Sequence, residues 1–153
     1  MKRTLVALLV AAISGGLLYA EETGKIDFTK VLCPISGKPV KESATADYKD
    51  GKVYLCCDGC PKSFAKNPSK FAAKANWQLV QTKQFKQVAC PISGKPNKEG
   101  VSAKVGDIDV GLCCNGCKGK IDKAEKDQKL ALVFSDKAFE KGFKPVKEKE
   151  PTQ

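Results

Sequence analysis

Eight cysteines fall into two matching sets, and no other feature constrains this chain so tightly. Cys33, Cys56, Cys57 and Cys60 recur 57 positions later as Cys90, Cys113, Cys114 and Cys117. Each set reads C-P-I-S-G-K-P, then a variable stretch, then L-C-C-x-G-C. From Cys33 to Cys60, 17 of the 28 positions match their counterparts at this fixed offset, too many for chance. The chain therefore reads as two copies of one small cysteine-bearing module, residues 25–80 and 84–143. What the thiols hold is the functional question.

The local signals order each module as turn, hairpin, helix. Pro34, Gly37 and Pro39 break regular structure directly after Cys33, so C-P-I-S-G-K-P predicts a tight turn. Ser43 to Tyr48 and Lys52 to Cys56 have strand composition, and the Asp50-Gly51 pair between them is a hairpin signal. Asp58 is a candidate helix N-cap, with Asn115 as its counterpart, and a helix is expected over Cys60 to Lys66. Asn67-Pro68 interrupts it before a second helical turn over Ser69 to Ala75. Glu22 to Lys30 reads as a linker, and the Trp77 to Phe85 stretch as core or inter-module packing. The second module repeats this pattern to Cys117 and then diverges: Phe71 becomes Gln128 and Pro68 becomes Glu125. Residues 144–153 are rich in Lys, Glu and Pro and are expected to form a disordered tail.

Modules of about fifty residues bury little apolar surface and commonly rely on disulfides or a metal. The first offers only Val31, Tyr48, Val53, Tyr54, Leu55, Phe64, Phe71 and Trp77. Four cysteines per module meet the need for a staple. The compartment bears on which kind. Lys2 and Arg3 precede an apolar run from Thr4 to Leu18, and Ala20 stands at a plausible cleavage point. Residues 1–20 thus read as a secretory signal peptide, cleaved after Ala20, which places the chain in the periplasm or outside the cell. The alternative is an uncleaved membrane anchor, but the run is shorter than the ~20 apolar residues that a span needs.

Composition excludes several functions. The net charge is +10, and it falls to +8 once Lys2 and Arg3 are removed. Arg3 is the only arginine, so the remaining basic residues are all lysine. Readers of nucleic acid lean on arginine's fork, so an exported chain without it is a poor nucleic-acid binder. Histidine is absent and Met1 is the only methionine, so a transition-metal site must be built from thiolates. With no imidazole base to activate Ser36 or Ser93, hydrolytic catalysis is not expected, and the chain reads as a non-enzyme.

Cys33, a gap of twenty-two residues, Cys56 and then Cys56-x3-Cys60 make a spacing that resembles the TRASH and YHS group of metal-handling domains. Tyr54-Leu55-Cys56-Cys57-Asp58-Gly59-Cys60, with Phe64, Pro68 and Phe71, looks like that group's helix-start signature. The likeness covers Val31 to Trp77 and, more weakly, Val88 to Phe134. It implies a small α+β fold of two tandem treble-clef-like modules (knuckle, β-hairpin, short helix), stapled by cysteine-bound metal. It also implies heavy-metal sensing, trafficking or resistance, with a metal transporter or metallochaperone as partner. The implied ligands are Cys33, Cys56 and Cys60, and likewise Cys90, Cys113 and Cys117.

One departure matters: the second knuckle ligand of a treble clef is replaced by Ser36 and Ser93, while Cys57 and Cys114 are extra. The site is then three thiolates, four with the extra cysteine, or a mixed set with water or serine. Three thiolates suit Cu(I), whereas Zn(II) prefers four ligands. Successive residues on extended chain face opposite sides, so Cys56 and Cys57 are not equivalent. Cys57 and Cys114 rank as fourth ligands or transfer thiols. Cys60 and Cys117 fall in the first turn of a helix, where the dipole and nearby lysines are expected to lower the thiol pKa.

Two other readings compete. Export favours paired cysteines, so Cys33 could staple to Cys56 or Cys60 in a metal-free interaction module. Cys57-x-x-Cys60 and Cys114-x-x-Cys117 also fit thiol–disulfide exchange, although the βαβ context of a thioredoxin fold is missing.

Overall fold

The structure is a computed structural model that describes residues 26–146. The signal-peptide reading falls on residues 1–20, outside the described residues. Each knuckle closes on itself in the same way. Cys33 N–H donates to the Lys38 carbonyl at 2.8 Å and Gly37 N–H to the Cys33 carbonyl at 2.8 Å. Cys90 and Gly94 repeat these bonds at 2.9 and 2.7 Å. Gly37 and Gly94 sit at φ +70° and +75°, a left-handed conformation that glycine adopts without a Cβ penalty.

The first hairpin pairs β1 (Lys41–Tyr48) with β2 (Gly51–Leu55), and its turn residues are Lys49 and Asp50. Val53 and Leu55 alternate inward and are fully buried. Then follow α1 (Gly59–Lys66), a 3-10 turn (Pro68–Phe71) and α2 (Ala72–Gln81). The expected second helical turn at Ser69 to Ala75 is therefore a ten-residue helix that starts later and runs further. Its buried face includes Asn76 and Gln78, polar residues that break the apolar periodicity a sequence reading depends on. The expected linker also carries structure, a 3-10 turn (Phe28–Lys30) in which Thr29 N–H donates to the Asp27 carboxylate.

The second half begins with β3 (Phe85–Gln87), then forms a hairpin from β4 (Ser102–Val105) and β5 (Ile108–Gly111). It continues through α3 (Asn115–Asp122), α4 (Lys126–Phe134), α5 (Asp136–Gly142) and β6 (Phe143–Pro145). The divergence after Cys117 is a new helix start. Glu125 and Gln128 form a capping box, with Gln128 Oε1 accepting the Glu125 N–H at 3.3 Å. The expectation of a tail from Lys144 is corrected at its first residues. Lys144 and Pro145 pair with Lys86 and Phe85, and Val146 N–H donates to the Gln84 carbonyl. Residues 147–153 lie outside the described residues.

The fold is small α+β, with three two-stranded antiparallel sheets among the described residues. One hydrophobic cluster runs through both halves, from Val53, Leu55, Phe64 and Leu79 to Val110, Ile121, Phe134 and Phe139. Helix α2 packs against α4 and α5, and Phe85 meets Phe139 at 5.0 Å between ring centroids. Trp77 lies against the second hairpin's turn: the first side-chain carbon on Gly106 would fall 2.7 Å from the indole. Of the stretch expected to form core or inter-module packing, Trp77 thus packs between the halves and Phe85 is buried in the core. No helix among the described residues is long and apolar enough to cross a membrane.

Candidate metal centres

Three elements deliver three sulfurs to each site. The knuckle supplies Cys33, the chain leaving β2 supplies Cys56, and the second residue of α1 supplies Cys60. In the second half Cys90, Cys113 and Cys117 come from the knuckle, the chain after β5 and α3. The sulfurs of Cys33, Cys56 and Cys60 all lie within 4.8 Å of one another, and so do those of Cys90, Cys113 and Cys117. Cys56 and Cys60 are 3.6 Å apart, and Cys113 and Cys117 3.7 Å. Three sulfurs bound to one ion at about 2.3 Å each stand about 3.8–4.0 Å apart in tetrahedral or trigonal geometry. Each cluster is therefore sized to close on a single ion with little movement.

The knuckle and helix cysteines are buried, Cys56 and Cys113 are half-buried, and Cys57 and Cys114 are exposed. All eight are free thiols. The extra cysteines stand outside the compact triads and differ between the halves. Cys57 Sγ lies 3.2 Å from Cys60 Sγ, whereas Cys114 Sγ lies 3.7 Å from Cys113 Sγ.

Ser36 and Ser93 occupy the knuckle position of the missing thiol. Their hydroxyls lie 3.1 Å from Cys56 Sγ and Cys113 Sγ, respectively. Each also accepts a backbone N–H, from Lys38 at 3.3 Å and from Lys95 at 3.2 Å. The hydroxyl keeps a second lone pair and its own hydrogen for the contact with sulfur. Either partner can donate while the sulfur is a thiol, and only the serine can once it is a thiolate.

The electrostatics correct one expectation. Cys60 and Cys117 are not lowered by the helix start. The Cys57 thiol beside it, then burial and the Cys56 and Cys33 sulfurs, push Cys60 up to about 12. Burial, then Cys113, Cys114 and Cys90, push Cys117 up to about 12. Crowded sulfurs cannot all carry charge without a cation between them. The lowered thiols are in the knuckles. Burial raises Cys33, but the Ser36 N–H and hydroxyl outweigh it, with Ile35 and Cys56 N–H groups, and leave it at about 7. Cys90 falls to about 6, where burial is outweighed by the Ser93 hydroxyl and the Cys113, Ser93 and Ile92 N–H groups. Exposed Cys57 is lowered by Cys60, and Cys114 by the Cys117 N–H and then Cys113. The capping expectation is corrected as well. Asp58 stands at the N-cap of α1 without a side-chain bond, and Asn115 is already inside α3.

No family model, curated protein or solved structure matches this chain. The geometry itself gives two clusters of three cysteines, each able to hold a metal ion.

Proposed function

We propose that the protein is an exported heavy-metal-binding protein that holds one soft ion, Cu(I) or Zn(II), in each half. It serves metal buffering, trafficking or resistance, passes its ion to or from a metal transporter or metallochaperone, and catalyses no reaction. The two halves are read as treble-clef-like modules of the TRASH/YHS kind. The observation that carries the reading is the convergence of three free sulfurs within 4.8 Å, twice, from matching positions of the repeat.

The buried and half-buried cysteines act as ligands: Cys33, Cys56 and Cys60 in one half, Cys90, Cys113 and Cys117 in the other. Bound metal supplies the positive charge that lets the crowded sulfurs ionise together, so binding releases the Cys60 and Cys117 protons. Exposed Cys57 and Cys114 can meet an incoming ion before the buried set closes on it. Three thiolates without histidine favour Cu(I), and recruitment of the extra cysteine would complete a Zn(II) site.

The test is a paired count on protein recovered from its native compartment. Free thiols are titrated under denaturant and metals are measured by elemental mass spectrometry. The proposal expects eight thiols and two equivalents of copper or zinc. Oxidised cysteines without metal would instead identify a disulfide-stapled interaction module.

A further inference from the structure

Two glutamines make the same three hydrogen bonds beside the two cysteine clusters. Gln78, on α2, is 1% exposed. Its Nε2 donates to the Leu32 carbonyl at 3.1 Å and to the Tyr54 carbonyl at 2.9 Å. Its Oε1 accepts the Tyr54 N–H at 2.7 Å. Gln87, in β3, donates through Nε2 to the Ala89 carbonyl at 2.9 Å and the Gly111 carbonyl at 2.7 Å. Its Oε1 accepts the Gly111 N–H at 2.9 Å.

Ala89 and Gly111 are the repeat counterparts of Leu32 and Tyr54, 57 positions on. The glutamines are not counterparts of each other. The residue matching Gln78 is Ser135, and the residue matching Gln87 is Lys30. One half therefore reaches this arrangement from a helix and the other from a strand. Inheritance through the repeat does not account for that, but a shared geometric need does.

The bonded positions show what the need is. Leu32 and Ala89 immediately precede the knuckle cysteines, and Tyr54 and Gly111 stand two residues before Cys56 and Cys113. An amide that bonds both the N–H and the C=O of one residue takes the place of a peptide group in a neighbouring strand. Its second N–H then ties in the other segment. Gln84 extends the first half's edge alone, bonding Lys52 N–H at 2.6 Å and Lys52 carbonyl at 2.8 Å. It does not touch a knuckle.

We propose that Gln78 and Gln87 are positioning residues for the two metal sites, each fixing the distance between the knuckle that carries the first sulfur and the strand end that carries the second. This rests on the metal-binding reading above. Groups that orient ligands from behind are worth about 10–100-fold in metal affinity.

The test replaces each glutamine with glutamate, which keeps the shape but sets an acceptor against two carbonyls. The whole chain is titrated, reduced, with Cd(II), a soft ion whose thiolate charge-transfer absorption reports Cd–S bonds. Wild type is expected to take two equivalents. Gln87→Glu should weaken one site about 10–100-fold and leave the other unchanged. In combination with Cys60→Ser it should leave only a weak site, and with Cys117→Ser only a wild-type one. Gln78→Glu should give the mirror result. If Gln78→Glu fails to fold by circular dichroism, half-buried Gln87 decides the matter. Folded variants that bind both equivalents with wild-type affinity would overturn the proposal alone. A wild-type chain that takes up no Cd(II) would overturn the metal reading and the proposal with it.

Discussion

At the residue scale, the eight thiols divide into roles by burial and position. Cys60 and Cys117 are buried at helix starts, and their thiols are pushed up to about 12. Replacing either with serine should remove one bound equivalent and spare the other, as measured by elemental analysis after dialysis. Cys57→Ser should keep both equivalents while slowing transfer to a competing chelator, because the exposed sulfur beside Cys60 is lost. A loss of stoichiometry in Cys57→Ser would instead make it a resident ligand. Affinity should rise with pH above neutrality, since Cys60 at about 12 must release its proton on binding.

At the element scale, the repeated pieces were legible and the pieces that lock them were not. The knuckle turn, both strands of the first hairpin and the start of α1 follow from Pro, Gly and alternation signals that act over a few residues. Helix α2 was cut short because Asn76 and Gln78 look like surface residues until their distant partners are known. Those partners lie 58 residues away at the Phe134 carbonyl for Asn76, and 24 and 46 away at Tyr54 and Leu32 for Gln78. The same holds for Asp136, at the start of α5. Its carboxylate accepts from the Tyr48 hydroxyl at 3.0 Å and from Asn76 Nδ2 at 3.2 Å, and pairs with Lys49 at 3.0 Å. It therefore joins the first hairpin and α2 to the second half.

Burial raises the Asp136 carboxyl, but Lys49, Asn76 and Tyr48 outweigh it and hold it below its ordinary value. A depressed acid stabilises the fold above its unfolded pKa of about 3.9, and that contribution is lost as pH falls through the lower folded value. Asp136→Asn should thus be less stable at neutral pH and draw level with wild type in acid. The side chain is 41% exposed, so the neutral-pH gap is on the order of 1 kcal/mol, readable by urea unfolding at the two pH values. A gap independent of pH would show that the carboxylate's charge contributes nothing.

At the scale of the whole molecule, two copies of a small module share one hydrophobic cluster. The halves are joined by the packing of α2 on α4 and α5 and by Trp77 against the second hairpin's turn. The repeat made the two sets of four cysteines readable, whereas the choice of three within each came from the resemblance to TRASH and YHS domains and not from spacing. It could not reveal the seam between the halves, where the copies differ most. Local signals also misjudged the thiol electrostatics: the helix start is favourable to charge, but burial and three neighbouring sulfurs outweigh it. The central claim is that each half closes three sulfurs on one ion. X-ray absorption spectroscopy of the Cu(I)-loaded protein tests it most directly. The account predicts two copper ions per chain, each with a first shell of three sulfurs. A single equivalent, or a shell dominated by oxygen or nitrogen, would contradict it.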